Sequence, residues 1–438
     1  MSLVTATAFQ QSPAVQTRSF VALSALAVSD VDDDFLYQIL VAFKSALTKA
    51  NESNTMAIVS MLRCMCKIVP AITEQSRYVC VLFWLAVALL QASHLGFYIE
   101  ATWLLRITLE NMEQQGLFKN NSVQAVLLEA REPLEEITSQ LDEMLRLSFE
   151  TSFSFSLSSI IFKGMRHTGL KASAEAALTT LLRVTSKAYS EHSATSNGFR
   201  DSPCPEALGY FLALLPVSTT PKSYCRLLNN CSVDDSWVSE GGPSDSEEEE
   251  LGIPRVTDAV LGIQDANIAL LVASFAGTIL VTAQGDDAET QMLYGLLSSL
   301  ANSYPEIISI TYVSMTLAIL QSFLILTLYR YDTMQDRIKD TFANSSNAYI
   351  IRSVSNIFRV ALQDPTRSGN TSTHHESTST LSTVDENSTG PGRSHLNALD
   401  ELAMQGLANN LTFLPLNRGH ATKMINWIPT LVSLMISS

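Results

Sequence analysis

The sequence predicts an all-α fold. Apolar residues recur with a helical period along most of its 438 positions, and strand signals are almost absent. The composition agrees with a packed protein: 46% of residues are apolar and 16% charged, against about 25% charged in an average soluble chain. Global disorder and collagen-like structure are excluded on these figures.

The elements follow in chain order. Leu36, Ile39, Leu40, Phe43 and Leu47 form one apolar stripe after the cap-rich Asp30–Asp34. Ile58, Met61, Leu62, Met65 and Val69 repeat it, and Pro70 stops that helix. Val79–Leu90 has no charged residue, so this helix is apolar on every side. It is too short for a bilayer, which needs about 20 residues, and reads as a buried helix with Trp84 as a core anchor. Further helices are expected over Phe97–Met112, Val123–Arg131, Leu134–Leu145, Phe153–Met165, Leu170–Lys187 and Ala207–Leu215. A later block should contain Ile263–Ala283, Glu289–Ser303, Asp332–Ala343 and Ala348–Leu362, and a last helix should run from Ala421 to about Met435, interrupted at Pro429.

Helix pairs begin near Val15, Thr55 and Gly96, a spacing of about 40 residues, which falls in the range of HEAT and armadillo repeats. The expected architecture is therefore a HEAT/armadillo-like helical-repeat solenoid with two disordered inserts. Residues 1–231 form the first helical block and 232–262 an acidic disordered linker. Residues 263–363 form a second block, 364–395 a Ser/Thr-rich disordered segment, and 396–438 the C-terminal helices.

Forty-three acids against 28 bases leave a net charge of −15, which argues against a nucleic-acid partner held by counterion release. Eight of the acids lie between Asp234 and Glu250, a window without Lys or Arg. Six cysteines are too few for a disulfide scaffold, and no signal-like segment occupies Met1–Phe20. Reduced, packed cysteines in a cytoplasmic protein are expected.

No phosphate loop, dinucleotide fingerprint, zinc-protease motif or nucleophile elbow occurs, so no catalytic, cofactor-binding or metal-binding residue is assigned and no enzyme activity or cofactor is expected. His94, His167 and His420 sit at helix-end positions, and Glu129, Glu132, Glu135 and Glu136 read as a solvated face beside Arg131. Ser244 and Ser246 precede acids in the linker and are candidate phosphorylation sites, each modification adding roughly −1.5 to −2 charge.

Several blocks carry a family resemblance. Leu82-Phe83-Trp84-Leu85-Ala86-Val87-Ala88-Leu89-Leu90-Gln91 resembles a block of the neurofibromin family of Ras GTPase-activating proteins and its fungal relatives. The likeness continues through Arg131-Glu132-Pro133-Leu134-Glu135, Gln140-Leu141-Asp142, Leu147–Leu157 and Phe162-Lys163-Gly164-Met165-Arg166-His167. It returns more weakly at Tyr210–Ser218, Ile268–Glu306 and Gln335–Pro365, in the family's order. The resemblance implies the C-terminal HEAT-like region of such a protein, a non-catalytic scaffold within a Ras-regulating assembly or homodimer that meets Ras only indirectly. It also implies a cytoplasmic location, peripheral at membranes through Ras-regulating partners. The arginine-finger module is missing: Leu104-Leu105-Arg106 and Leu181-Leu182-Arg183 lack the downstream Pro-Ala and belong to ordinary amphipathic helices.

Ile307–Leu328 runs 22 residues without a charge. It reads as a membrane span, a buried helix, or, within Tyr312–Arg330, a translated intron; the last is favoured because the family text breaks off and resumes around it. Integral membrane insertion is accordingly not expected. The thin cover that Met1–Gln16 offers to Val21, Leu23 and Leu26 suggests either a fragment of a longer chain or a truncated paralogue. A free-standing helical-repeat adaptor unrelated to Ras is the competing function.

Overall fold

The computed structural model describes residues 7–9, 12–26, 31–49, 55–74, 76–91, 95–135, 138–140, 142, 149–193, 204–218, 227, 269, 272–273, 275–277, 279–280, 287–304 and 428–436. Among them every regular element is helical, and the fold is all-α. One isolated parallel bridge, Val31 to Ile72, is the extended pairing seen in these residues.

The chain divides into two compact units. One comprises Met1–Leu214, Cys225–Ser239 and Ala408–Ser438, the other Leu215–Tyr224 and Glu240–Leu407. The first contains α1 (Pro13–Leu26), α2 (Asp33–Thr48), α3 (Thr55–Ile68), α4 (Tyr78–Gln91), α5 (Leu95–Gln114), α6 (Val123–Glu129), α7 (Phe149–Met165), α8 (Lys171–Ser193) and α9 (Leu208–Leu214).

Local chemistry sets the ends of these helices. The Asp32 carboxylate accepts the Phe35 N–H at 2.8 Å, and Asp33 and Asp34 occupy the first turn of α2, where the helix dipole favours negative charge. Leu36, Ile39, Leu40, Phe43 and Leu47 are all buried, as their spacing predicts. Pro70 ends α3 in the tight turn Val69–Ala71. Gly116, at φ +73°, closes α5: its N–H reaches Glu113 O at 3.0 Å and the Leu117 N–H reaches Met112 O at 3.1 Å. That paired bonding needs a left-handed residue, which is why α5 stops at a glycine.

α1, α3, α5 and α8 follow one another as packed neighbours, with α2 against α3, α4 against α5, and α7 and α9 against α8. The starts predicted near Val15, Thr55 and Gly96 coincide with α1, α3 and α5. α4 is buried along nearly its whole surface, Leu82 through Gln91 without a break. No helix among the described residues is long and apolar enough to cross a membrane.

Several boundaries differ from the sequence reading; α8, expected over Leu170–Lys187, runs on to Ser193. α6 stops at Glu129 because Pro133 imposes the tight turn Glu132–Leu134. α7 begins at Phe149 and kinks at Ser152 (φ −140°, ψ 45°), so the start expected at Phe153 is the kink. In the second unit, α10 (Asp287–Ser303) matches the helix expected there, with Leu293, Tyr294, Leu297 and Leu300 buried. Ala269, Val272, Ala273, Phe275, Ala276, Ile279 and Leu280 are helical and buried, as the stripe in Ile263–Ala283 requires. Residues 428–436, in the first unit, are helical through Pro429. Ile307–Leu328, the linker over 232–262, the segment over 364–395 and the helices expected at Asp332–Ala343 and Ala348–Leu362 lie outside the described residues.

Candidate functional site

Two features of the first unit concentrate polar chemistry, one buried and one open. The buried one gathers around Arg131. Its guanidinium carbon lies 4.7 Å from the ring centroids of both Trp84 and Phe149. Its Nη2 donates to the Thr138 carbonyl at 3.2 Å and to Asp142 Oδ1 at 2.7 Å. Trp84 stands edge-on to Phe83, Phe149 and Phe153, and its Nε1–H donates to the Leu127 carbonyl at 2.7 Å. A planar guanidinium suits this place because it stacks on aromatic faces while its edge bonds oxygen, which a lysine cannot match.

Burial pushes the Asp142 carboxyl up to about 6, outweighing the pull of Arg131. Between its ordinary value of 3.8 and about 6, the folded state therefore holds a proton that the unfolded chain has already released. This group's contribution to stability is greatest below its ordinary value of 3.8 and declines as pH rises through about 6.

Glu129, Glu132 and Glu135 are exposed, as a solvated face requires. Arg131, read from the sequence beside them, is instead buried, because α4 and α7 bring their aromatic rings over it. Nothing local to residue 131 signals this. Leu104-Leu105-Arg106 and Leu181-Leu182-Arg183 sit on helices with the leucines buried and the arginines half-exposed. Arg106 lies 3.9 Å from Glu110. Arg183 Nη1 and Lys187 Nζ both bond Glu113, at 2.9–3.0 Å, joining α8 to α5. Burial raises the Glu113 carboxyl, but these bonds outweigh it and hold the group below its ordinary range.

Cys64, Cys66 and Cys204 are buried and Cys80 half-buried, none in a disulfide. Burial pushes Cys64 and Cys204 up to about 12, so neither supplies a thiolate at neutral pH. His167 follows α7 directly, and its Nδ1 accepts the Gly169 N–H at 3.2 Å, a local turn role. Among the described residues, no three His, Cys, Asp or Glu side chains stand where they could hold a metal ion. Ser244, Ser246, His94, His420, Glu136, Cys225 and Cys231 lie outside the described residues.

Lys163 of α7 is buried, its Nζ 5.8 Å from the Tyr98 ring centroid, and burial pushes its ammonium down to about 7. Below about pH 7 the ammonium is charged in the fold, where burial disfavours that charge. Between about 7 and the ordinary 10.5 the unfolded chain holds a proton that the fold has released, so stability rises with pH. Lys163→Met should raise stability by about 1–4 kcal/mol at neutral pH. Its advantage over the unmodified chain should fade toward pH 10.5 in paired thermal melts. A constant advantage, or none, would contradict the burial account.

The open feature is a groove of about 420 Å³ between α3, α5 and α8, lined mainly by Arg63, Ile99, Glu100, Trp103, Arg106 and Ser173. Lys67 Nζ lies 5.1 Å from the Trp103 ring centroid. Glu100 is buried beneath and bonded by Arg63, whose side chain remains 54% exposed. Ile99 is 40% exposed. The sequence does carry this pattern, since Arg63 and Lys67 are one turn apart and Ile99, Trp103 and Arg106 share one face of α5. Only the packing of α3 on α5 makes the two stripes one surface.

The fold and these features define an all-α protein with a buried aromatic–arginine cluster and a basic, aromatic-floored groove. No protein-family model matches the chain. Among solved structures it is similar to one described as the crystal structure of an engineered protein, at 14% identity over 81% of this chain and 88% of that one. The TM-score is 0.22, a likeness that says nothing about fold or function.

Proposed function

We propose that the chain is a non-catalytic helical-repeat scaffold module of a neurofibromin-like negative regulator of Ras, acting in the cytoplasm as part of a larger assembly or homodimer. One observation supports the reading. Trp84, Arg131, Asp142, Phe149 and Phe153 come from four separate blocks of the resemblance, and all meet in one buried cluster. The likeness thus falls on residues that depend on one another in the folded chain, not on helical text of generic composition. On this reading the chain contributes binding surface and leaves phosphoryl-transfer chemistry to a module it does not contain. Ser244 and Ser246 would add charge to the acidic tract on phosphorylation.

The test is full-length transcript sequencing from upstream of Met1 through the Thr311–Tyr331 junction, joined to a GTP-hydrolysis assay. The reading expects a frame that continues into a GTPase-activating module. It also expects no acceleration of Ras GTP hydrolysis by the present chain alone. A transcript with no such module, and a purified chain that fails to associate with any chain bearing one, would overturn it in favour of a free-standing adaptor.

A further inference from the structure

We propose that the groove between α3, α5 and α8 docks a short acidic segment of a partner protein. The segment would set carboxylates against Arg63, Lys67 and Arg106 and one apolar side chain against Ile99 and Trp103. This goes beyond the scaffold reading and does not depend on it. Arg63 and Arg106 line the groove and Lys67 Nζ stands 5.1 Å from the Trp103 ring centroid, while the groove's own carboxylate, Glu100, is buried and engaged by Arg63. Arg106 meets Glu110 at 3.9 Å across half-exposed side chains, a pairing that an incoming carboxylate can replace. Ile99, at 40% exposure, and Trp103 give the groove an apolar patch among its polar residues.

The chemistry of the whole chain narrows the partner. With a net charge of −15, the molecule repels an extended polyanion such as nucleic acid or a phosphatidylserine-rich bilayer, whose charges reach far beyond one groove. A peptide keeps its few carboxylates within reach of the three cations and avoids that repulsion. The aromatic floor supplies what a purely electrostatic site lacks, an anchor for one buried side chain.

The test uses the full chain and a fluorescein-labelled glutamate-rich peptide with a single leucine. The controls are its glutamine counterpart and phosphatidylserine-containing vesicles. By anisotropy the acidic peptide should bind and weaken as salt rises, whereas the glutamine peptide should not bind. The double change Lys67→Glu with Arg106→Glu should lower affinity about tenfold or more. Ile99→Asp, at an exposed position, should do so as well. Melting curves verify that both variants fold. Equal binding of the two peptides, no binding of the acidic one, or unchanged affinity in a folded variant would overturn the proposal. So would vesicle binding that exceeds peptide binding and falls with Lys67→Glu and Arg106→Glu.

Discussion

Replacing Trp84 by alanine should cost about 3–5 kcal/mol of stability, a large part of what holds a domain of this size together. The indole is 2% exposed and stands edge-on to three phenylalanine rings, so its loss leaves a cavity that the surrounding helices cannot collapse into. The Leu127 carbonyl loses its donor. Arg131 loses one of its two aromatic faces while its charge stays buried, and its Nε–H already lacks an acceptor among the described residues. Denaturant unfolding of Trp84→Ala beside Trp84→Phe checks this. The phenylalanine variant keeps a ring against Arg131 and should recover about half of the loss. A cost below about 1 kcal/mol for the alanine variant would mean that the cluster is not a structural node.

Gly209→Ala should be nearly as severe, about 3 kcal/mol or more, for the opposite reason. All seven residues of α9 are buried, and α9 approaches α7 so closely that the Gly209 N–H points at Ser154 Oγ at 3.4 Å. A methyl group there would collide with the Ser154 carbonyl and would lie 2.6 Å from the Phe155 nitrogen. These are backbone atoms, so no rotamer change relieves the clash and the helices must part. Gly164 offers a graded comparison. Its added methyl would meet the Tyr98 ring, a side chain fixed by its hydroxyl donating to the Ile161 carbonyl at 2.5 Å. Chemical denaturation of both variants should place Gly209→Ala at or below Gly164→Ala in stability. A Gly209→Ala protein as stable as the unmodified chain would refute the close α7–α9 approach.

Much of the helical framework was legible from residue order. The stripe from Leu36 to Leu47 and the all-round apolar helix at Val79–Leu90 appear where their periods put them. The acidic capping before α2 is also where it was read. The groove was half legible: Arg106 was placed on an ordinary amphipathic helix, while its partners on α3 drew no reading. Arg131 was not legible at all. Its neighbours are glutamates that face water, and the rings that enclose it come from α4 and α7, on either side of it in the chain. Gly209 likewise reads as a weak point in a short helix until the Ser154 backbone is seen beside it.

The sequence by itself determined that the described stretches are helical, most of their caps and stops, and which face of the striped ones is buried. Those properties depend on side chains within a turn or two: an Asp that caps, a Pro that cannot donate, a Gly that accepts φ +73°. Only the tertiary structure decided which charges are buried and which are offered to a partner. Whether Arg131 lies among rings, whether Lys163 sheds its proton near pH 7, and whether Arg63, Lys67 and Arg106 form one surface depend on helices remote in the chain. Desolvation and ion pairing are set by what surrounds a charge in space, and residue order does not state that.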